Sequence, residues 1–330
     1  MSLSARIQQR LPQVWLSRGW IAWALRPMAW IYGVLLVLRR WAYATGLAKT
    51  ERLPAWVIVV GNVVAGGAGK TPMTMALVKH LVAQGLRVGV ISRGHGRRTH
   101  ATCAVQVNSA PQDVGDEPLL IRQSTGVPVW VGASRADAGR QLLQAHPEVQ
   151  VIVCDDGLQH LALARDVELC VMDERGVGNG WLLPAGPLRE AWPRPVNLLV
   201  HTGRSALSGG FQAPRQLADH ALRSDGQTVA LQDLKNQALR AVAGLARPEA
   251  FFEMLRQKGL TLASTTAVPD HHHYGDWRTS DDSTPLLCTE KDAAKLWAHE
   301  PQALAVPLQI TPEPAFWQAL DALIPQHLRT

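Results

Sequence analysis

The sequence predicts an α/β fold in which helices flank a mostly parallel β-sheet, followed by a smaller C-terminal α/β domain. Short apolar runs rich in β-branched residues alternate with segments that are long enough to form helices. A chain of 330 residues, 47% of them hydrophobic, can bury one large core and a second, smaller one. One apolar run leads into a glycine-rich turn and then into a helical pattern, which predicts a ligand site at the carboxyl edge of the sheet.

The glycine-rich turn has the sequence GGAGKTP at residues 66–72, between a predicted strand at 56–60 and a predicted helix that ends near Gly85. In this position small residues let backbone N–H groups close around phosphate oxygens at a helix N-terminus. The strict phosphate-loop pattern requires a glycine where Val64 stands, so an incidental glycine turn is the alternative. The flanking strand and helix favour a P-loop NTPase-like site, with the lysine on the terminal phosphates and the threonine on Mg²⁺. The predicted cofactor-binding residues are Gly66, Gly67, Ala68, Gly69, Lys70, Thr71 and Pro72.

Other apolar runs extend the sheet and divide the chain into segments. Strands are predicted at 88–91, 127–131, 149–154, 168–172, 197–200 and 239–242, and the later elements are a helix at 248–258, a strand at 285–288, a helix at 292–298, a strand at 304–310 and a helix at 314–328. Residues 203–236 lack a strong period. We therefore predict an N-terminal segment at 1–50, a nucleotide-binding core at 51–205, a connection at 206–236 and a smaller α/β domain at 237–330.

The N-terminal segment is basic and aromatic. Residues 1–50 hold seven Lys and Arg residues, no acidic residue and five tryptophans. The longest uncharged run, residues 27–38, is shorter than the roughly 20 residues that span a bilayer. A helix pair lying in the membrane interface is favoured, because the acidic residues expected on a solvated face are absent; an ordinary core-packing helix is the alternative.

The charge distribution and the cysteines argue against several kinds of site. Outside the first 50 residues the charge is close to neutral although the whole chain has a net charge of +6, which argues against a nucleic-acid-binding face. The four cysteines form no CxxC pair, so neither a zinc site nor a disulfide framework is predicted, and a reducing cytosol fits best.

Two pairs of carboxylates mark candidate metal and catalytic positions. Asp155 and Asp156 follow an apolar strand, where a nucleotide-bound Mg²⁺ is held in phosphate-loop enzymes; a helix N-cap is the weaker alternative. Asp116 and Glu117 precede Pro118, and taken alone this pattern is typical of a helix start. The candidate metal ligands are Thr71, Asp155, Asp156 and Glu117.

Basic and histidine-bearing loops supply candidate substrate residues. The loop SRGHGRR at 92–98 suits an anionic substrate, although a solvated basic loop explains it equally well. The cluster HHH at 271–273 fits either metal binding or proton handling beside a carboxylate. The predicted substrate-binding residues are Arg93, Arg97, His160, Arg189 and Glu190.

Seven motifs, each modest alone, occur together in a fixed order. They are GN followed by GGAGKTP, then SRG-H-GR, GDEP, DDGLQH, LPAGPLRE, PDHH and TEKD, spread over residues 57–292. In this order they resemble the tetraacyldisaccharide 4′-kinase family, the lipid A kinases of Gram-negative bacteria. The departures are minor: Ala68 stands where a serine or threonine is usual, His95 where tyrosine is common and Leu158 where phenylalanine is common.

The resemblance implies a chemistry for these motifs. It implies a kinase that uses ATP and Mg²⁺ to phosphorylate the 4′-hydroxyl of a membrane-bound tetraacyl glucosamine disaccharide 1-phosphate. Asp116 would be the acid–base residue, working with His271, while Lys70 would act on the transferred phosphoryl group and the arginines near 93–98 would meet the phosphate of the sugar. The enzyme would lie on the cytoplasmic face of the inner membrane, with no nucleic-acid partner and no obligate protein partner.

Two other functions compete with this one. A cytosolic P-loop ATPase or GTPase of the metallochaperone or assembly-factor type would use the histidine cluster as a metal relay, but it has no use for the tryptophan-rich basic segment. A membrane-interaction protein with a vestigial loop does not explain the intact lysine, threonine and paired aspartates. The absence of an NKxD-type loop favours ATP over GTP.

Overall fold

The main sheet of the computed structural model has eight strands, which are parallel except for the antiparallel pair β3–β4. The structure describes residues 13–203, 209–270, 272–277 and 284–328. The strand order is β3-β4-β2-β5-β1-β6-β7-β8. The strands are β1 Trp56–Gly61, β2 Val88–Ser92, β3 Cys103–Ala104, β4 Val129–Val131, β5 Val151–Asp155, β6 Val167–Met172, β7 Leu198–His201 and β8 Phe211–Gln212. Because β1 lies between β5 and β6, the ends of β1 and β5 adjoin at one edge.

Helices cover both faces of this sheet, so its central strands are buried on both sides. The helices are α1 Trp20–Ala24, α2 Arg26–Ala44, α3 Lys70–Ala83, α4 Pro111–Val114, α5 Asp116–Thr125, α6 Arg135–Ala145, α7 Pro248–Gln257, α8 Glu290–Leu296 and α9 Pro314–Leu323. The strands predicted between residues 56 and 200 are all present, with ends shifted by one or two residues.

A second sheet of six strands has the order β11-β10-β15-β14-β12-β13 and its own apolar core. Its strands are β10 His220–Leu222, β11 Thr228–Ala230, β12 Ala238–Ala243, β13 Thr261–Ala267, β14 Leu286–Thr289 and β15 Leu304–Val306, and β9 Arg215–Leu217 pairs separately with β16 Leu308–Ile310. The predicted single strand at 304–310 is wrong, because Pro307, which has no N–H for a ladder, divides it into β15 and β16. Within the predicted connection at 206–236, the described residues include the short strands β8 to β11.

The last helix returns to the first sheet. The side chains of Phe316, Leu320 and Ile324 on and after α9 are buried in the same apolar cluster as β1 and α3. The helix ends at Leu323 and not at 328 as predicted, because Ile324 precedes Pro325 and is extended, as residues before proline usually are.

We expect Phe316→Ala to lower the free energy of unfolding by about 3–5 kcal/mol, since it deletes a fully buried aromatic ring and leaves a cavity. Leu323→Ala on the same helix is the matched control, because that side chain is 37% exposed and its loss should cost much less. Denaturant titration followed by circular dichroism measures both. Equal losses in the two variants would mean that α9 does not contribute a core side chain.

The N-terminal helices dock on the main domain by polar contacts and leave an apolar face exposed. The Tyr32 hydroxyl donates to the backbone oxygen of Arg189 at 2.8 Å, Arg40 forms an ion pair with Glu190, and the Trp15 indole donates to the backbone oxygen of Pro184. The exposed apolar side chains of these helices are Trp20, Ile21, Trp23, Met28, Trp30, Ile31, Val34, Leu35, Val37, Leu38 and Trp41. Among the described residues, no helix has the length and hydropathy needed to cross a bilayer.

Candidate active site

The glycine-rich turn lies between β1 and α3, as the sequence predicts, and Gly69 takes a left-handed conformation at the start of the helix. The ammonium of Lys70 is 3.3 Å from the side-chain oxygen of Asn62 and 3.8 Å from a carboxylate oxygen of Asp156. The lysine therefore lies against the end of β5, beside the first residues of α3. Backbone N–H groups at this helix N-terminus favour an anionic ligand.

Arg175 braces the glycine-rich turn from the β6 side. Its guanidinium forms an ion pair with Asp173 at 2.8 Å and donates to the backbone oxygens of Ala65 and Gly67. The Thr202 hydroxyl donates to the backbone oxygen of Ala68 at 3.1 Å. Because Arg175 and Thr202 hydrogen-bond to backbone carbonyls of the glycine-rich turn, these contacts hold the turn in place without a ligand.

The two aspartates after β5 have different surroundings. Asp155 is buried and accepts a hydrogen bond from the Thr74 hydroxyl at 2.8 Å. Burial and the charges of Glu117 and Asp156 raise the pKa of Asp155 to about 7. Although burial acts in the opposite direction, Lys70 and Arg189 hold the pKa of Asp156 below its ordinary value.

These carboxylates suit a divalent cation. The described residues contain no group of three His, Cys, Asp or Glu side chains close enough to hold a metal by themselves. Mg²⁺ commonly takes one or two carboxylates and fills its other positions with phosphate oxygens and water. A carboxyl group whose pKa is raised by neighbouring carboxylates gains most from a cation placed between them.

Asp116 begins α5 and contacts α8, the helix that follows β14 of the second sheet. Its side chain is buried, and its Oδ2 accepts from the ammonium of Lys295 on α8 at 2.7 Å. One turn earlier on α8, Lys291 forms an ion pair with Asp270 at 2.8 Å and lies 3.9 Å from Glu117. The carboxyl-rich start of α5 thus meets two lysines of α8. His271, the predicted partner of Asp116, lies outside the described residues.

Several arginines lie near His160, which follows the two aspartates in the DDGLQH motif. Burial and the charges of Arg135, Arg165, Arg39 and Arg93 lower the pKa of His160 to about 4, so the imidazole is neutral at pH 7. The backbone N–H of Arg135 donates to Nε2 of the His160 ring, and the Arg135 guanidinium lies near the backbone carbonyl of Asp156. A basic, partly buried surface of this kind favours an anion such as a phosphate group.

Comparison with known proteins shows the family to which this chain belongs. A family model described as LpxK, tetraacyldisaccharide-1-P 4′-kinase, matches residues 21–325. The chain belongs to this family. A tetraacyldisaccharide 4′-kinase of Acidovorax sp. (strain JS42) is 54% identical over 319 residues, covering 96% of this chain and 94% of that protein. The corresponding protein of Polaromonas naphthalenivorans (strain CJ2) is 53% identical over 330 residues, covering 96% of this chain and 95% of its own.

A solved member of the tetraacyldisaccharide 4′-kinase family shares the fold. The "apo" form of LpxK from Aquifex aeolicus, crystallised in complex with ATP, superposes with a TM-score of 0.80 at 28% identity. The match covers 92% of this chain and 99% of the Aquifex chain. The predicted family and the predicted mixed α/β fold with a mostly parallel sheet are therefore confirmed.

The substrate residues predicted for a 4′-kinase lie in two different environments. Arg189 donates to Asp156 at 2.8 Å and to Asn62 at 3.0 Å, which places it at the phosphate loop. Glu190 is buried and bound by Arg40 and Arg194, so it joins α2 to the domain. Its contact with substrate stays a prediction, as does that of Arg93.

The loop at 92–98 is held partly by its own arginine. Arg97 donates to the backbone oxygen of Ala101 at 2.6 Å and to that of His100 at 3.1 Å. Gly115, at φ 93°, packs so closely on this loop that an added Cβ would lie 3.0 Å from the Cα of Gly94. The loop therefore lies directly beside the start of α5, where the predicted acid–base residue stands.

Four residues of the site were not predicted from the sequence: Asn62, Thr74, Arg175 and Lys295. Asn62 was visible as part of the GN pair before the glycine-rich turn, and its position within hydrogen-bonding distance of both Lys70 and Arg189 could have been suspected. Nothing local marked Lys295, since its partner is 179 residues away in the sequence.

Proposed function

We propose that this chain transfers the terminal phosphoryl group of ATP to the 4′-hydroxyl of a tetraacyl glucosamine disaccharide 1-phosphate in a membrane. The observation that supports this most directly is the meeting of three motifs at one edge of the sheet. Lys70 of GGAGKTP lies 3.8 Å from a carboxylate oxygen of Asp156 of DDGLQH, and burial together with the charge of Glu117 of GDEP raises the pKa of the neighbouring Asp155. On this basis we propose that Asp116, the neighbour of Glu117, and the nucleotide loop act on a common space.

The roles of the side chains follow from their positions. The loop at 66–72 binds the phosphates of ATP, and Lys70 stabilises the charge that develops on the transferred group. Asp116 accepts the proton of the sugar hydroxyl. Its buried carboxylate lies beside the basic loop at 92–98, so it can reach a sugar that this loop binds. His271 is proposed as its partner. Arg93, Arg97 and His160 are proposed to bind the anionic sugar, and the charge of Arg93 already acts on His160.

Mg²⁺ would be held by Thr71 with Asp155 and Asp156, and Glu117 would act from the neighbouring helix. When bound, Mg²⁺ would neutralise negative charge on the phosphates during transfer. Arg189 keeps Asp156 oriented at 2.8 Å, and Thr74 does the same for Asp155 at 2.8 Å. A hydrogen bond from a neighbouring side chain fixes the direction of a carboxylate that binds a metal.

The lipid substrate requires contact with a bilayer, and α1 and α2 supply a suitable surface. We infer that their exposed apolar side chains enter the interface of the cytoplasmic leaflet of the inner membrane while arginines meet anionic headgroups. Arg26 already lies 4.1 Å from the centre of the Trp181 ring and beside Trp23 and Trp30. Polar contacts on the opposite side of α2 hold it on the domain.

The decisive experiment supplies purified full-length protein with γ-³²P-ATP, Mg²⁺ and the detergent-dispersed tetraacyl disaccharide 1-phosphate. The expected product is a radiolabelled bisphosphorylated glycolipid. A substrate analogue that lacks the 4′-hydroxyl is the control and should remain unlabelled. ATP hydrolysis without labelled lipid would contradict the kinase proposal and favour the ATPase alternative.

A second prediction concerns the binding of α1 and α2 to a membrane. Trp30→Glu and Val37→Glu, at side chains that are 62% and 67% exposed, should each weaken binding to anionic vesicles by about tenfold or more. The reason is that burying such a side chain is worth at least about 1.5 kcal/mol, or one decade. Val82→Glu, at an exposed site on α3, is the matched control. Vesicle sedimentation measures the effect, and equal weakening by all three substitutions would contradict this assignment.

A further inference from the structure

The ammonium of Lys295 lies at the junction of three chain segments. It donates to Oδ2 of Asp116 at 2.7 Å and to the backbone oxygen of His272 at 3.2 Å. Both charged side chains are buried, with 5% of Lys295 and 7% of Asp116 exposed. One group therefore ties α8 to the start of α5 and to the histidine segment at His272, the last residue of the PDHH motif.

The helix that bears Lys295 is itself fixed in place. Thr289 caps α8, its hydroxyl accepting from the backbone N–H of Asp292, and the Asp292 carboxylate accepts from the backbone N–H of Gly244 on the loop after β12. A buried ammonium loses its hydration and is tolerated only where strong acceptors replace the water. Here the acceptors are a carboxylate and a carbonyl from two other segments, so the distance between those segments is set by the lysine.

We propose that Lys295 is a positioning residue for the phosphoryl transfer: it orients the Asp116 carboxylate and holds the histidine segment beside it. This inference rests on the proposed function, in which Asp116 accepts the proton of the sugar hydroxyl. Lys295 belongs to the second sheet's domain and Asp116 to the first, so the lysine makes the base's orientation depend on how the two domains meet. A displacement of about 1 Å at a reacting group is enough to cost about 100-fold in rate.

The test compares Lys295→Met with the wild-type protein in the lipid kinase assay. We expect kcat to fall by about 100-fold while the KM for ATP and the dissociation constant of a fluorescent ATP analogue stay within about twofold. Lys258→Met is the matched control, because it removes an ammonium from an exposed ion pair with Asp219 in the same domain. It should leave kcat unchanged.

A double variant separates positioning from mere stability. Asp116→Asn with Lys295→Met should be no slower than Asp116→Asn alone, because a residue that acts through the base has nothing left to orient. Lys295→Arg keeps a charged donor and should retain more activity than Lys295→Met. If Lys295→Met does not fold, Lys295→Arg and the double variant, which leaves no unpaired charge, answer the same question.

The outcomes distinguish this inference from the proposed function. Full activity of Asp116→Asn would overturn the assignment of the base itself. An inactive Asp116→Asn together with wild-type kcat in Lys295→Met would overturn only the role of Lys295. Equal losses of kcat and ATP affinity in Lys295→Met, or additive losses in the double variant, would make the lysine a structural contact between the domains.

Discussion

Lys70→Ala should lower kcat for phosphoryl transfer by about 100-fold to 1,000-fold or more, with the fold intact. The ammonium lies at the N-terminus of α3 beside Asn62 and Asp156, where the terminal phosphates of a bound nucleotide would meet it. Its charge is worth most in the transition state, because negative charge shifts among the phosphate oxygens as the group is transferred. Thr71→Ala should have a comparable effect through the metal.

The measurement is the initial rate of label transfer from γ-³²P-ATP to the lipid at saturating substrate. Lys79→Ala, an exposed lysine on the same helix, serves as the control for loss of a positive charge. Circular dichroism should show both variants folded. Near-normal turnover by a folded Lys70→Ala protein would mean that the turn at 66–72 does not bind the transferred phosphate.

Asp116→Asn should lower kcat by about 100-fold to 10,000-fold and leave ATP affinity unchanged, since a general base acts on the sugar hydroxyl and not on the nucleotide. Asparagine is the better substitution here. Alanine would leave Lys295 as a buried charge without its carboxylate, which typically costs about 3–5 kcal/mol of stability. The amide keeps the shape and an acceptor oxygen while it removes the base.

Asp113→Asn, at an exposed position on the preceding helix α4, is the matched control and should behave as wild type. His271→Ala should be milder than Asp116→Asn if the histidine tunes the aspartate, and the double variant should then be no worse than Asp116→Asn alone. A parallel loss of ATP affinity in Asp116→Asn would instead place this carboxylate in the metal site.

Much of the main domain was predictable because its signals are local. The strands at β1, β2, β5 and β6 are short apolar runs buried on both faces, and such runs are visible in any window of five residues. The turn at 66–72 was predictable for the same reason, since the strand, the glycines and the helix are adjacent in the chain. The order of the seven motifs identified the family.

The errors arose where a distant contact outweighs the local pattern. The run at 304–310 is mostly apolar, yet β15 joins the second sheet and β16 pairs with β9, with Pro307 between them. The amphipathic α9 gives no indication from its sequence that it packs on the first sheet and not on the second. The domain boundaries predicted at 206 and 237 remain a prediction.

By itself, the sequence determined the family, the glycine-rich turn between β1 and α3, and the unopposed basic and aromatic character of the first 50 residues. Tertiary structure alone decided which charges meet. Lys295 reaches Asp116 across 179 residues, and Arg40 of α2 reaches Glu190 across 150. The physical reason is that an ion pair depends on the distance between two side chains, and only the packing of the two domains and of α2 sets that distance.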